Sequence, residues 1–205
     1  MLEYKGLKIE WLGHACFKIK DDFVVYIDPF KIKKDRADVI LITHEHFDHC
    51  SLEDIEKIWH EGTKIIASTQ CKDILKPGWD VKFMRPGDKI TVKGLAVEAV
   101  PAYNIGKKFH PKADEKLGYV VEVDGVRIYH AGDTDLIPEM SSLKNIDIAL
   151  LPVGGTYTMN AEEAAKAAST IKPKIAIPMH YGSIVGSRED AEKFKSLVKT
   201  RVEFG

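Results

Sequence analysis

The chain has 205 residues, of which 44% are apolar and 30% charged, with a formal net charge of −1. That length suits one domain over 1–205 with a sizeable core, and the near balance of charge excludes a global electrostatic case for a nucleic-acid or membrane partner, leaving only a local patch. No apolar run is long enough to span a bilayer. The opening Met1–Lys8 lacks the apolar stretch of a secretory signal, and three cysteines at no zinc-like spacing (Cys16, Cys50, Cys71) point to a reducing, cytoplasmic setting. The richness in Lys and Glu is a weak hint of heat adaptation.

The first half reads as strands. The N-terminus already looks extended; Lys8–Trp11 and Ala15–Ile19 alternate polar and apolar around a turn near Gly13-His14. Phe23–Ile27 is an apolar strand ending at Asp28-Pro29, and Val39–Ile42 is fully apolar, as in a strand buried on both faces. A helix is predicted from Ser51, with Ser51 and Asp54 as a capping pair, Leu52, Ile55, Ile58 and Trp59 on one face and Gly62 as its stop. Lys64–Ala67 is the next strand. Short strands follow to Val100, split by Pro77-Gly78, Pro86-Gly87 and Gly94. Residues 102–116 have no apolar period and read as a long loop carrying Lys107, Lys108, Lys112 and Lys116, a length typical of lids and binding segments. Asp124-Gly125 between two apolar runs predicts a hairpin. Beyond it come a strand at Ile146–Val153, a helix at Ala161–Ile171 capped by Asn160, a strand at Lys174–Pro178 and a final helix at Arg188–Lys199. No short-period repeat or linker is evident.

The chemistry concentrates in His44-Glu45-His46-Phe47-Asp48-His49, directly after the buried strand. Imidazoles and a carboxylate are the ligands that Zn²⁺ and similar cations prefer. In a tight loop His44 and His46 can face one point and Asp48 and His49 a second, the layout of a two-metal site. Without a cation, four such groups would be costly to desolvate. Asp133 and His180, each just past an apolar strand, are natural suppliers of the remaining ligands. Apolar strands ending in His, Asp or Gly recur at Thr43-His44, His130–Asp133, Val153–Gly155 and Met179–Gly182, and ends converging on one sheet edge would unite them.

The motif His44-x-His46-x-Asp48-His49, together with Gly132-Asp133-Thr134-Asp135, Met179-His180-Tyr181-Gly182 and the opening Trp11–Phe17, resembles the metallo-β-lactamase superfamily, in its ascorbate-6-phosphate lactonase-like branch of small hydrolases. The resemblance covers nearly the whole chain. It implies an α/β fold, a four-layer αββα sandwich, with a dinuclear site on one edge whose bridging hydroxide attacks an ester, amide or phosphoester. It implies His44 and His46 on the first metal, Asp48, His49 and His180 on the second, Asp133 bridging, and Asp48 as the catalytic residue that orients the water. One departure stands out: where the family supplies a third histidine to the first metal, this chain has Asn104. His110, six residues on, is the favoured substitute, imidazole being the better ligand.

Other residues carry two readings each. His14 belongs beside the metals or the substrate, or packs structurally. His130 hydrogen-bonds a ligand, or is a core histidine, the more ordinary reading. Glu45 points away from the ligands, and Cys50 is a small buried neighbour rather than a thiolate ligand. His60 is assigned no function. Gly155 and Thr156 offer backbone N–H groups and a hydroxyl to an oxyanion, or form a plain turn. The loop lysines stand at the mouth of the site, or on a solvated surface; the former tilts the substrate toward anions.

The expectation is a metal-dependent hydrolase of phosphodiester or phosphorylated small molecules, with lactones and other cyclic esters second and β-lactams a side activity. Zn²⁺ is the default metal and Mn²⁺ the alternative; nucleic acid enters only as substrate, and no membrane partner is expected. Two rivals lie outside hydrolysis: a di-iron redox enzyme on the same ligands, and a non-catalytic nucleic-acid binder, which the charge balance disfavours.

Overall fold

In the computed structural model, which describes residues 1–204, the alternation of the first half becomes the two faces of a seven-stranded sheet. Its strands lie side by side in chain order: β1 (Leu2–Tyr4), β2 (Leu7–Gly13), β3 (Cys16–Lys20), β4 (Val24–Ile27), β5 (Val39–Ile42), β6 (Lys64–Ser68) and β7 (Val81–Met84). Pairing is antiparallel from β1 to β4 and parallel from β4 to β7. In β5 the period-2 geometry sends Val39 and Leu41 into the main core. Ile40 and Ile42 go to the other face, against Ile55 and Ile58 of α1 (Leu52–Ile58).

The second sheet repeats this pattern. β8 (Lys89–Val92), β9 (Leu95–Pro101), β10 (Leu117–Val123) and β11 (Val126–His130) are antiparallel; β11, β12 (Ile148–Pro152), β13 (Ile175–Met179) and β14 (Arg201–Val202) are parallel. α2 (Ala161–Ile171) and α3 (Arg188–Leu197) pack on each other and over β12 and β13. The layers are therefore helix, sheet, sheet, helix, as expected from the sequence. The repeat spans half the chain and left no trace at short period.

Local chemistry explains most element ends. Asp124 (φ 47°) and Gly125 (φ 71°) provide the two left-handed residues of the expected hairpin turn. Asn160 and Glu163 cap α2 reciprocally. Two expectations are corrected. The N-terminus is a hairpin, β1 and β2 turning at Lys5-Gly6, rather than one extended strand. Helix α1 stops at Ile58, not near Gly62: Trp59 is already extended, with ψ 145°, and stacks on Trp79 at 5.6 Å between ring centroids. A tertiary contact thus overrides the helical pattern.

The two sheets are joined at one edge. Leu117 N–H donates to the Thr43 carbonyl (3.1 Å), Tyr119 hydroxyl to the Ile42 carbonyl (2.8 Å), and His180 N–H to the His14 carbonyl (2.8 Å). At this edge the ends of β5, β11 and β13 deliver His44, Asp133 and His180. Among the described residues no helix is long and apolar enough to cross a membrane.

Candidate metal centre

The site is built from strand ends outward. β4 ends at Asp28, held at φ 46° and fully buried. One of its carboxylate oxygens accepts from Thr43 N–H (2.8 Å); the other accepts from the Thr43 hydroxyl (2.7 Å) and His49 Nδ1 (2.7 Å). Because the Thr43 hydrogen is committed to Asp28, its oxygen accepts from His44 Nδ1 at 2.9 Å. Asp28 thus fixes Nδ1 as a protonated nitrogen of both His44 and His49 and leaves each Nε2 facing inward.

Two groups of inward-facing atoms result. His44, His46 and His110 form one, each offering an atom within 4.8 Å of the others. His46 Nδ1 lies 3.2 Å from His44 Nε2 and 3.1 Å from His110 Nε2. The other joins Asp48, His49, His180 and His14, with His14 Nε2 2.8 Å from Asp48 Oδ2. Asp133 stands between them: Oδ1 is 3.3 Å from His49 Nε2, and Oδ2 is 3.2 Å from His180 Nε2 and 3.6 Å from His110 Nε2. Gly132 makes this placement available. Its φ is +63°, and a Cβ there would meet the Leu117 carbonyl at 2.4 Å. His14, Asp28, His110 and His180 all take left-handed φ between 46° and 59°, the kind of backbone that persists where surrounding structure fixes a functional constellation.

The electrostatics suit cation binding. Burial pushes His14, His44 and His46 below their ordinary value and His110 down to about 4, so these imidazoles are neutral near pH 7. Burial alone would raise Asp133, but His180 and His49 hold it well below the carboxylate range. Burial likewise opposes charge on His49, and Asp133 with Asp28 outweighs it, raising that histidine well above its ordinary value. Asp48 is held low against burial by the hydrogen bond from His14 and by His49. Within this cluster His49 Nε2, His180 Nε2 and Asp133 Oδ1 are buried with no hydrogen-bond partner. Orphaned buried groups are costly. Nitrogen and carboxylate donors left open around one point match the ligand preferences of first-row divalent cations.

Asn104 engages its own loop through its two nitrogens, while its Oδ1 is buried without a partner. Its amide nitrogen donates to the carbonyls of Phe109 (2.9 Å) and Tyr157 (2.7 Å), and its backbone N–H to the carbonyl of His110 (2.7 Å), so it staples the loop that presents His110. His130 is a core residue; Nε2 donates to the Ala15 carbonyl (2.8 Å) and Nδ1 accepts from Gly132 N–H (3.2 Å). Gly155 and Thr156 are not brought into the cluster: their N–H groups donate within their own turn, to Met159 and Gly154, and offer nothing to an oxyanion. Cys50 is buried and free. Glu45 pairs with the buried ammonium of Lys116, and its Oε1 also lies 3.5 Å from His46 Nε2, the ring nitrogen opposite the inward-facing Nδ1. Of the four loop lysines, three are ion-paired, Lys107 with Asp135, Lys112 with Glu139 and Lys116 with Glu45, and Lys108 lies over the Phe109 ring at 5.8 Å.

Sequence reasoning missed Asp28, Thr43 and the walls of the site. Asp28 carried a signal, an acid closing an apolar strand ahead of a proline; the walls carried none. A cavity of about 250 Å³ opens over the cluster, lined by His46, Asp48, His110, Asp133 and His180 and by Phe47, Phe109, Tyr157 and Ile184. A more open groove of about 350 Å³ on the outer face of β8 to β11 holds only mutually paired charges such as Lys89–Glu98 and Arg127–Glu122.

A model of the beta-lactamase superfamily domain matches residues 8–180. A UPF0173 metal-dependent hydrolase of Thermoplasma acidophilum is 39% identical over 210 residues, covering 96% of this chain and 92% of the relative. A solved structure from Parabacteroides distasonis, of a protein proposed to be a metal-dependent hydrolase, superposes with a TM-score of 0.85 at 37% identity, covering 97% of this chain and 92% of the other. The metallo hydrolase Igni18 of Ignicoccus hospitalis gives a TM-score of 0.77 at 28% identity over 97% and 95% of the two chains. With the site and the fold in agreement, the chain belongs to the metallo-β-lactamase superfamily, among its UPF0173 metal-dependent hydrolases.

Proposed function

We propose that this metal-dependent hydrolase holds two divalent cations and cleaves a phosphodiester in a small molecule. The observation that carries the reading is the shared carboxylate of Asp133, which faces both groups of histidines. His44 Nε2, His46 Nδ1 and His110 Nε2 would hold one cation; Asp48, His49 Nε2 and His180 Nε2 the other; Asp133 would serve both. Zn²⁺ fits this nitrogen-rich set first and Mn²⁺ second. When bound, such a pair supplies Lewis acidity and a water ionised near neutral pH.

The chain's own contribution is orientation and proton handling. Asp28 and Thr43 fix the imidazoles. Asp48 is kept ionised and is aligned by His14 through Oδ2, which leaves Oδ1 to take a proton from an attacking water. With Lys107, Lys112 and Lys116 ion-paired, Lys108 is the loop lysine left to balance a substrate's charge, which favours a monoanionic diester over a dianionic monoester. The apolar walls favour a second reading, a neutral cyclic ester such as a lactone. Free, buried Cys16, Cys50 and Cys71 support a reducing, cytoplasmic setting.

The test is to strip the protein with chelator, restore Zn²⁺, Mn²⁺, Ni²⁺ or Fe²⁺, and assay phosphodiester, phosphomonoester, lactone and β-lactam substrates. Two ions per chain and metal-dependent turnover, with diester ahead of monoester, are expected. No metal-dependent turnover on any ester would sink the reading, and iron with an iron-like absorption spectrum would favour redox chemistry instead.

A further inference from the structure

Large apolar side chains scattered singly over a surface need no explanation, but their convergence on one cavity does. Phe47 (70% exposed), Phe109 (44%) and Ile184 (40%) come from three segments distant in sequence: the ligand loop, the 102–116 loop and the loop after β13. All three line the cavity whose floor is His46, His110, Asp133 and His180. Tyr157 completes the wall, edge-on to Phe109 at 5.3 Å and 89°. The Phe47 ring is braced from behind by Phe30 at 6.0 Å. Since Phe47 lies between His46 and Asp48 in the chain, its wall is tied to the reacting centre itself.

From this arrangement we infer that the site selects substrates bearing a compact apolar group, aryl or short alkyl, beside the bond that is cleaved; the inference rests on the hydrolase reading above and names its substrate class. Size sets the limit. The cavity is about 250 Å³ and must also hold the reacting group, whereas an apolar cavity of about 150 Å³ accommodates one benzene ring. One ring or a four-carbon chain fits within it beside the reacting group. Charge is mostly cancelled here: Lys107 and Lys112 are neutralised by Asp135 and Glu139, while the Lys108 ammonium, over the Phe109 ring at 5.8 Å, suits a substrate whose reacting group is also anionic.

Uncleavable, monoanionic phosphinates provide the probe: methylphosphinates whose second substituent runs from methyl to butyl, plus phenyl, titrated calorimetrically into the Zn²⁺-loaded protein. Affinity should rise about three- to fourfold per added methylene, from the transfer free energy of a buried CH₂, with phenyl at least matching butyl. Phe47→Ala with Phe109→Ala, and separately Ile184→Ser, should flatten that gradient; as a ratio within one protein, it is insensitive to metal content. A flat gradient in the unmodified protein, or a gradient unchanged by the variants, overturns the inference. If turnover on the ester panel survives a flat gradient, the selectivity alone fails. If turnover is absent while the gradient stands, the hydrolase reading fails and the apolar selectivity is retained.

Discussion

At the scale of single residues, the site depends on which nitrogen of each imidazole carries the proton. Asp28 settles this for His49 directly and for His44 through the Thr43 hydroxyl. Outer hydrogen-bond partners of this kind typically govern a 10- to 100-fold range in metal affinity. Asp28→Ala is therefore expected to weaken Zn²⁺ binding by about 10- to 100-fold in competition calorimetry; unaltered affinity would show that His44 and His49 are oriented by packing alone. The third ligand of the first group gives a second residue-scale prediction. His110→Ala should lower the stoichiometry from two ions per chain toward one, measured by metal analysis after dialysis. Asn104→Ala should keep both ions but bind one more weakly, because Asn104 holds the loop rather than the cation. Full stoichiometry in His110→Ala with loss in Asn104→Ala would reverse the assignment.

At the scale of elements, the two sheets are fastened at the edge opposite the cavity by Asp147. Its carboxylate accepts from Tyr4 of β1 (3.0 Å), from Arg127 N–H of β11 (3.0 Å) and from Lys174 (2.7 Å). Burial would raise its pKa, but Lys174 and these donors bring it down to about 2. A depressed carboxylate stabilises the fold above its unfolded pKa, and that contribution is lost as pH falls from about 4 toward 2. Asp147→Asn should thus cost about 1–2 kcal/mol near neutral pH in urea unfolding, and the two proteins should converge as pH falls through that window. A constant difference at all pH values would mean that the loss is one of packing, not charge.

At the scale of the whole molecule, the fold concentrates six of the eight histidines in one cluster, desolvated between its two sheets. In the metal-free protein, His14, His44, His46, His110 and His130 lie below their ordinary value of 6.5, so the unfolded chain binds more protons than the folded one as pH drops through and below it. Their contribution is complete above about pH 6.5 and is lost as pH falls toward 4, the value for His110. His49 acts oppositely, since its raised value favours the folded state at lower pH. The depressed carboxylates of Asp48 and Asp133 act in the same sense as the lowered imidazoles, so the stability of the metal-free protein should fall between pH 6.5 and 4, read from Tm in a buffer series. Zn²⁺ should raise Tm most at the upper end of that range, because protons compete for the same nitrogens. A flat or rising Tm on acidification would contradict the neutral state assigned to these imidazoles.

How much was legible in advance follows the range of the interactions involved. Strands β3 to β6, the Asp124-Gly125 hairpin and helices α2 and α3 were readable because alternation, caps and turn residues are local signals. The candidate metal motif was readable because four residues of ligand type occupy six consecutive positions after an apolar strand. The sequence by itself therefore determined the element types, the motif and the family resemblance. Only the tertiary structure decided the rest. It turned Asn104 into a staple and left His110 facing His46, ended α1 at the Trp59–Trp79 stack, and engaged Asp28 with residues fifteen and twenty-one positions away. It also paired Lys107 and Lys112 with distant carboxylates and gathered Phe47, Phe109 and Ile184 around one cavity. Each of these depends on where a long loop folds back and which distant side chain it meets. Such contacts are set by the packing of two sheets edge to edge, and no periodicity along the chain encodes them.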